Sequence, residues 1–304
     1  FIGYHLDEKT TLYIGQMQVS HNNLEMVQNE NDLRLTNRGL ISQTYTENGE
    51  EFGLFLETSF GNSFLIEPTF AITSGDGKNS FGVDSRDSDK GGVKLGSRIN
   101  FLPFGNFEDG NQASTVDLVG EKKLKAMFGF AFSKNFGASN LVGDGHGDFI
   151  LYDSMGEEKY PDYSQLFFDL NLKYKRFSLL FEYADSFASG LNHIYTDPNG
   201  FNILVPEQIS EYLVLGDSQG IHFGYFTKSG YSIDFIYEQL NPEFNSNVDS
   251  ILRESTNVGF GLSKYLSDNN IKLQASVFKT NHKNSFANED DEFMNASFVV
   301  TLVF

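Results

Sequence analysis

The sequence predicts an all-β fold, a transmembrane antiparallel β-barrel, and three observations carry that prediction. The first is alternation. Read back from the C-terminus, every second residue of the closing stretch is apolar (Phe304, Leu302, Val300, Phe298, Ala296, Met294). The set between them (Val303, Thr301, Val299, Ser297, Asn295, Phe293) is smaller and more polar. Period-two alternation marks a strand with one apolar face, and a terminal amphipathic strand ending on Phe suits the last strand of an outer-membrane barrel. The second observation is that this pattern repeats along the chain. One face of each strand carries large apolar or aromatic residues, the other Asp, Glu, Lys and Arg, over lengths close to those of a tilted membrane strand. The third is that, from Tyr163 onward, short turns at 175–176, 228–230 and 267–270 alternate with long loops at 188–217, 241–254 and 281–292. Short periplasmic turns and longer extracellular loops connect barrels of this kind.

In chain order, 2–6 reads as a short strand and 10–19 as its partner across the turn 7–9. The stretch 20–50, rich in Asn, Glu and Thr, does not alternate and is too long for a hairpin turn; loops of such length carry function or are disordered. Alternation resumes with Phe52, Leu54 and Leu56, then with Phe64, Ile66, Phe70 and Ile72. Pro68 lies within that second run and lacks a ladder donor, which predicts a bulge or a free edge there. After the Gly/Asp/Ser loop 74–90, Val93, Leu95, Ile99 and Phe101 oppose Lys94, Gly96, Arg98 and Asn100. Leu124, Ala126, Phe128, Phe130 and Phe132 then oppose Lys123, Lys125, Met127, Gly129 and Ser133. The clearest hairpin sets Leu166, Phe168, Leu170, Leu172 and Tyr174 beside Phe177, Leu179, Phe181 and Tyr183, with Asp169, Asn171, Lys173 and Glu182 facing the other way. Two further hairpins, 221–238 and 258–277, precede the last strand. Tyr174, Tyr183, Tyr225, Tyr231 and Tyr237 are expected near strand ends, where interfacial aromatic girdles sit.

The count is thirteen strands in a single barrel domain spanning 1–304. With the last strand running inward, loops 20–50, 74–90 and 135–162 fall outside, and turn 60–62 and segment 105–121 inside. The first strand would then run inward as well. Because bacterial barrels have even strand numbers with both ends periplasmic, the expectation is that an odd number of upstream strands is lacking, about three for a complete barrel of about sixteen, carried by a longer polypeptide or supplied by another segment.

Composition narrows the function. A net charge of -19, with 22 Lys plus Arg against 41 Asp plus Glu, argues against nucleic-acid binding. Absence of Cys removes disulfides and thiolate metal sites. No apolar run is long enough for a membrane helix. No HExxH, nucleophile elbow, P-loop or dinucleotide fingerprint occurs, so no catalytic residue, cofactor or metal is assigned and an enzyme is not expected. The segment 143–148 (GDGHGD) and the group Asp76, Asp84, Asp87, Asp89 lack full EF-hand spacing and read as solvated loop charge. Paired lumen carboxylates such as Asp234 and Glu238 read as pore lining.

Several stretches carry a family resemblance. They are LYIGQMQV (12–19), RGLISQTY (38–45), AITSGDG (71–77), GSRINFLPFG (96–105), FSLLFEY (177–183), GIHFGYF (220–226), YSIDFIYEQLNP (231–242), VGFGLSKYL (258–266) and IKLQASVF (271–278). In this order they resemble the phosphate-selective porin O and P family of outer-membrane proteins, in a Bacteroidota-like version, and they cover most of the chain. The resemblance implies a bacterial outer-membrane barrel in contact with lipid and lipopolysaccharide. It implies a homotrimer or contact with other envelope proteins, and passive diffusion of small anions or polar solutes. Relatives have an earlier strand pair before the segment matching 1–6. The family folds one loop into the lumen and lines the path with basic residues. By position that loop is 20–50, with Arg34 and Arg38 as candidates, and Lys94, Arg98, Lys123, Lys125 and Lys173 are candidates on the wall. The alternative for Arg34 and Arg38 is pairing with loop acids such as Glu25 and Glu30, or capping loop backbone. The acidic balance departs from an anion channel, so phosphate selectivity is not carried over. A general porin and a non-conducting structural barrel subunit of a larger assembly both stand as expectations.

Overall fold

The computed structural model describes residues 1–47, 49–77, 91–145, 147–266, 271–283 and 291–302. They form one antiparallel sheet. Its strands are β1 (Ile2–His5), β2 (Thr10–Gln18), β3 (Glu50–Thr58), β4 (Phe60–Gly61), β5 (Leu65–Thr73), β6 (Lys94–Leu102) and β7 (Lys125–Asn135). Then follow β8 (Asp162–Tyr174), β9 (Phe177–Ser189), β10 (Gly216–Phe226), β11 (Tyr231–Pro242), β12 (Ser255–Leu266), β13 (Ile271–His282) and β14 (Asp291–Leu302). All but β4 lie on one path in which each strand pairs with its sequence neighbours. These are the thirteen strands expected from alternation. The last two residues, 303–304, the turn 267–270 and most of loops 74–90 and 281–292 lie outside the described residues.

The strand β4 is a continuation of β3. Glu57 faces Thr69 and Phe60 faces Ile66 in the same register. The interruption lies opposite Glu67 and Pro68, where the proline offers no N–H to the ladder. At the outer edges, among the described residues, β1 pairs only with β2 and β14 only with β13. Backbone groups at membrane depth require partners, and the described residues do not supply them along those two edges.

The wall is inside-out relative to a soluble sandwich. On β8, Asp169 and Lys173 are fully buried while Leu166 is 40% exposed. On β11, Asp234 and Glu238 are buried while Ile233 is 59% exposed. Phe130, Phe223, Phe260 and Phe298 also point outward and are exposed. A continuous exposed apolar face backed by buried charge fits hydrocarbon outside and a polar lumen inside.

At the short-turn end, Phe60, Phe64, Phe104, Tyr174, Phe177, Tyr225 and Tyr231 are all exposed and form one aromatic girdle. Phe177 lies 4.6 Å from Tyr225 between ring centroids, and the Lys264 ammonium sits 4.0 Å above the Tyr231 ring. Tyr183 and Tyr237 are a correction: they lie in mid-strand, because β9 and β11 extend to Ser189 and Pro242. The β8–β9 turn has two central residues, Lys175 (φ 49°) and Arg176 (φ 75°). Positive φ at both positions is the turn that matches strand twist in a two-residue hairpin.

Above the long-loop end, Leu151, Tyr163, Ile194, Leu204, Ile209 and Leu213 form a separate apolar cluster under loops 136–161 and 190–215. The remaining cores lie within the lumen, where two inserted segments pack against the wall.

Candidate functional site: a lumen filled from both ends

The segment joining β2 to β3 turns inward, and the bond from Val19 N–H to Gly49 O closes its base. It carries two short helices, α1 (Leu24–Val27) and α2 (Leu40–Tyr45). Its few apolar residues are spent on packing. Leu24 joins Leu65, Leu102 and Leu180 of the wall; Leu35 joins Ile236 and Phe278; Ile41 and Tyr45 join Phe167 and Leu240. Inward glycines make room for it. A Cβ on Gly96 would collide with the His21 ring, and one on Gly224 with the Arg34 guanidinium.

Carboxylates of the wall hold this plug by its backbone. Glu238 accepts from Leu40 N–H at 2.7 Å and Ile41 N–H at 3.0 Å, and from the Asn257 amide at 2.7 Å. Those two N–H groups open α2 and have no partner within it. Glu182 accepts from Glu25 N–H and the Asn23 amide, each at 3.0 Å. Glu25 accepts from Gly39 N–H and Ser42 Oγ, each at 2.7 Å. Burial pushes the Glu25 carboxyl above its ordinary range, against the lowering effect of the Ser42 and Gly39 hydrogen bonds and of Arg38 and Arg34. His222 stands between the two acids, 3.9 Å from Glu25 and 3.8 Å from Glu182.

A second segment, between β6 and β7, enters from the short-turn end. The sequence predicts a connection on that side over 105–121, and its inward course is a feature of the structure. It contains a 3₁₀ stretch at Glu108–Ala113 and buries Asn111, Ser114, Thr115, Asp117 and Glu121. Asp117 organises it, accepting from Asn111, Gly120 N–H, Glu121 N–H and Arg176 N–H. The two segments meet where Arg34 donates to Thr115 O at 2.6 Å.

Most of the basic residues expected to line a path are enclosed, while Arg38 and Arg98 also border cavities. Arg34 pairs with Asp234 of β11 at 3.2 Å, both side chains at most 1% exposed. Lys94 pairs with Glu51 at 2.7 Å and Asp144 at 2.9 Å. Arg98 pairs with Asp169 at 2.7 Å and donates to Asn22 O at 2.8 Å. Lys173 donates to Asn111 O and Ser114 O of the second segment. Lys125 donates to Phe104 O and Asn106 O, and Lys123 is exposed in the bend before β7. Arg38 is half-buried, donates to Glu25 O and Gln28 O, and borders a cavity. Buried charges of this kind need partners, and opposite charges on other strands supply most of them. Asp144 of the 143–148 motif is likewise held by Lys94, while Asp84, Asp87 and Asp89 lie outside the described residues.

Among the cavities beside the plug, two share a border. One, of about 850 Å³, lies between segment 26–47 and the inner faces of β2, β13 and β14, bordered by Gln18, Arg38, Glu47, Glu50, Gln274 and Thr301. The other, of about 480 Å³, runs toward the short-turn end, bordered by Lys9, Glu57, Thr58, Glu67, Arg98 and Asn100. Gln28 and Asn29 line both.

No family model matches the chain, and no curated protein matches it. Among solved structures it is similar to a loop-L8 deletion mutant of OmpT, an outer membrane protein of Vibrio cholerae. Identity is 10%, the TM-score 0.50, and the match covers 96% of this chain and 76% of that one. It is also similar to in-vitro folded OmpT, at 9% identity and TM-score 0.44 over 98% of this chain and 83% of that one. The first likeness shows the fold: the chain is a β-barrel of the bacterial outer membrane, as its exposed apolar face requires. It also overturns the exclusion of an enzyme. A shared architecture at 10% identity shows the fold and leaves the chemistry of the site open, so the absence of those motifs does not rule out catalysis.

Proposed function

We propose that this barrel is a porin whose path is off-axis, beside the docked plug. The observation that carries the reading is that one pair of residues, Gln28 and Asn29, borders both cavities: the smaller reaches Lys9 and Thr58 at the short-turn end, and the larger reaches Gln18 and Glu50 at the long-loop ends of β2 and β3. Their borders are polar and come from wall and plug together, as passive diffusion of small hydrated solutes requires. The resemblance to porins supports a diffusive passage. The ion-paired state of Arg34, Lys94 and Arg98 removes the basic ladder on which an anion preference would rest. The same filling of the lumen favours a second reading, a non-conducting barrel that serves as a structural subunit of a larger envelope assembly. Liposome swelling separates the two. Vesicles holding the folded protein should swell in small sugars and not in large oligosaccharides. Absence of swelling with heat-modifiable, folded protein present would support the structural subunit.

A further inference from the structure

We infer that the off-axis path prefers small cations to anions and that the Gln28 side chain is its constriction; this rests on the porin reading. Gln28 is 5% exposed, and neither its amide nitrogen nor its amide oxygen has a hydrogen-bond partner. Its backbone is fixed: its N–H donates to Leu24 O, and Arg38 donates to its carbonyl at 2.9 Å. The amide therefore stands at the junction of both cavities with donor and acceptor unspent. A buried amide without partners is costly, and water or a hydrated solute in the neck satisfies both ends.

The borders on either side of the neck set the sign. Glu30, Glu47 and Glu50 border the larger cavity, and Glu57 and Glu67 the smaller. Among the described residues Glu30, Glu47, Glu57 and Glu67 form no ion pair; Glu67 accepts only an amide bond from Gln112. The cations on the borders are Lys9, Arg38 and Arg98, and Asp169 neutralises the last. Carboxylates lining a narrow path with low-dielectric walls raise the local cation concentration and repel anions.

The test is the reversal potential of the full chain in a planar bilayer under a KCl gradient, with Gln28→Ala and Gln28→Phe beside it. The expected result is a reversal potential displaced toward the potassium equilibrium potential. Potassium should be favoured over chloride by roughly ten-fold at low salt, and less in molar salt, where screening shortens to about 3 Å. Gln28→Ala should raise the single-channel conductance and Gln28→Phe lower it, with heat-modifiable migration unchanged in both. Conduction with a reversal potential at zero or toward chloride overturns the cation preference and leaves the porin reading standing. Conduction indifferent to both substitutions overturns the assignment of the neck. Absence of conduction in every variant defeats the porin reading and this inference with it.

Discussion

Arg34→Ala tests whether the plug is fastened as described. The guanidinium is 3.2 Å from Asp234, gives a second bond to Thr115 O at 2.6 Å, and both charged partners are buried. Its removal leaves Asp234 in the lumen with the Ser232 hydroxyl as its remaining named donor. Breaking such a pair costs about 3–5 kcal/mol. The wall does not depend on the plug for its ladder, so the loss should fall on plug docking, by local undocking. A weakening of about 3 kcal/mol raises the undocked fraction roughly a hundred-fold. The chain has no Cys, so a cysteine at Leu35, packed against Ile236 and Phe278, reports undocking by maleimide labelling. Labelling in L35C/R34A should exceed that of L35C alone by about that factor. Replacing both partners, as Arg34→Met with Asp234→Leu, should restore most of the protection, because an apolar pair does not strand a charge. A rise of less than about five-fold, the ~1 kcal/mol of a solvent-exposed pair, would refute the reasoning.

Two further outcomes follow from the same contacts. Asp117→Ala removes the acceptor of Asn111, Gly120, Glu121 and Arg176; stranding buried donors costs about 1–3 kcal/mol, so limited proteolysis should cut within 104–124 while Leu35→Cys stays protected. Burial raises the Glu25 carboxyl above its ordinary value of 4.5. A raised acid contributes stability that is present below the unfolded value and lost as pH climbs through the folded one, so labelling at Leu35→Cys should increase as pH rises from 4.5, and Glu25→Gln should flatten that dependence.

The wall was legible because its signal is local. Period-two alternation needs no knowledge of partners, and it identified every strand of the path; the bulge or free edge expected at Pro68 is instead a gap between β3 and β4 in the facing strand, with the register unchanged across it. From the residues alone the plug was legible only as a place where alternation stops; its inward course came from the family resemblance. Its packing rests on single apolar residues, Leu24, Leu35, Ile41 and Tyr45, set in a polar stretch and buried against strands far along the chain. Helices of four and six residues have no periodic signature of their own. The second inserted segment left still less to read, because Asp117 is an ordinary loop aspartate until four donors converge on it. The basic residues illustrate the remaining gap. Alternation put Lys94, Arg98 and Lys173 on the polar face, but whether a lumen cation meets water or a carboxylate depends on β8, β11 and loop residues such as Asp169, Asp234 and Asp144. Gln28 could not be found from sequence, since what distinguishes it is the absence of partners in three dimensions.

The central claim is that the path runs beside a plug that stays docked, and a reversible lock tests it most directly. Thr36 of the plug touches Ser276 of β13 through the two hydroxyls, so cysteines at both positions meet within disulfide reach in a chain that otherwise has none. Single-channel recording of T36C/S276C should give the same conductance oxidised and reduced. Conduction that vanishes on oxidation and returns on reduction would mean that solute passes only when the plug leaves, and would contradict the account.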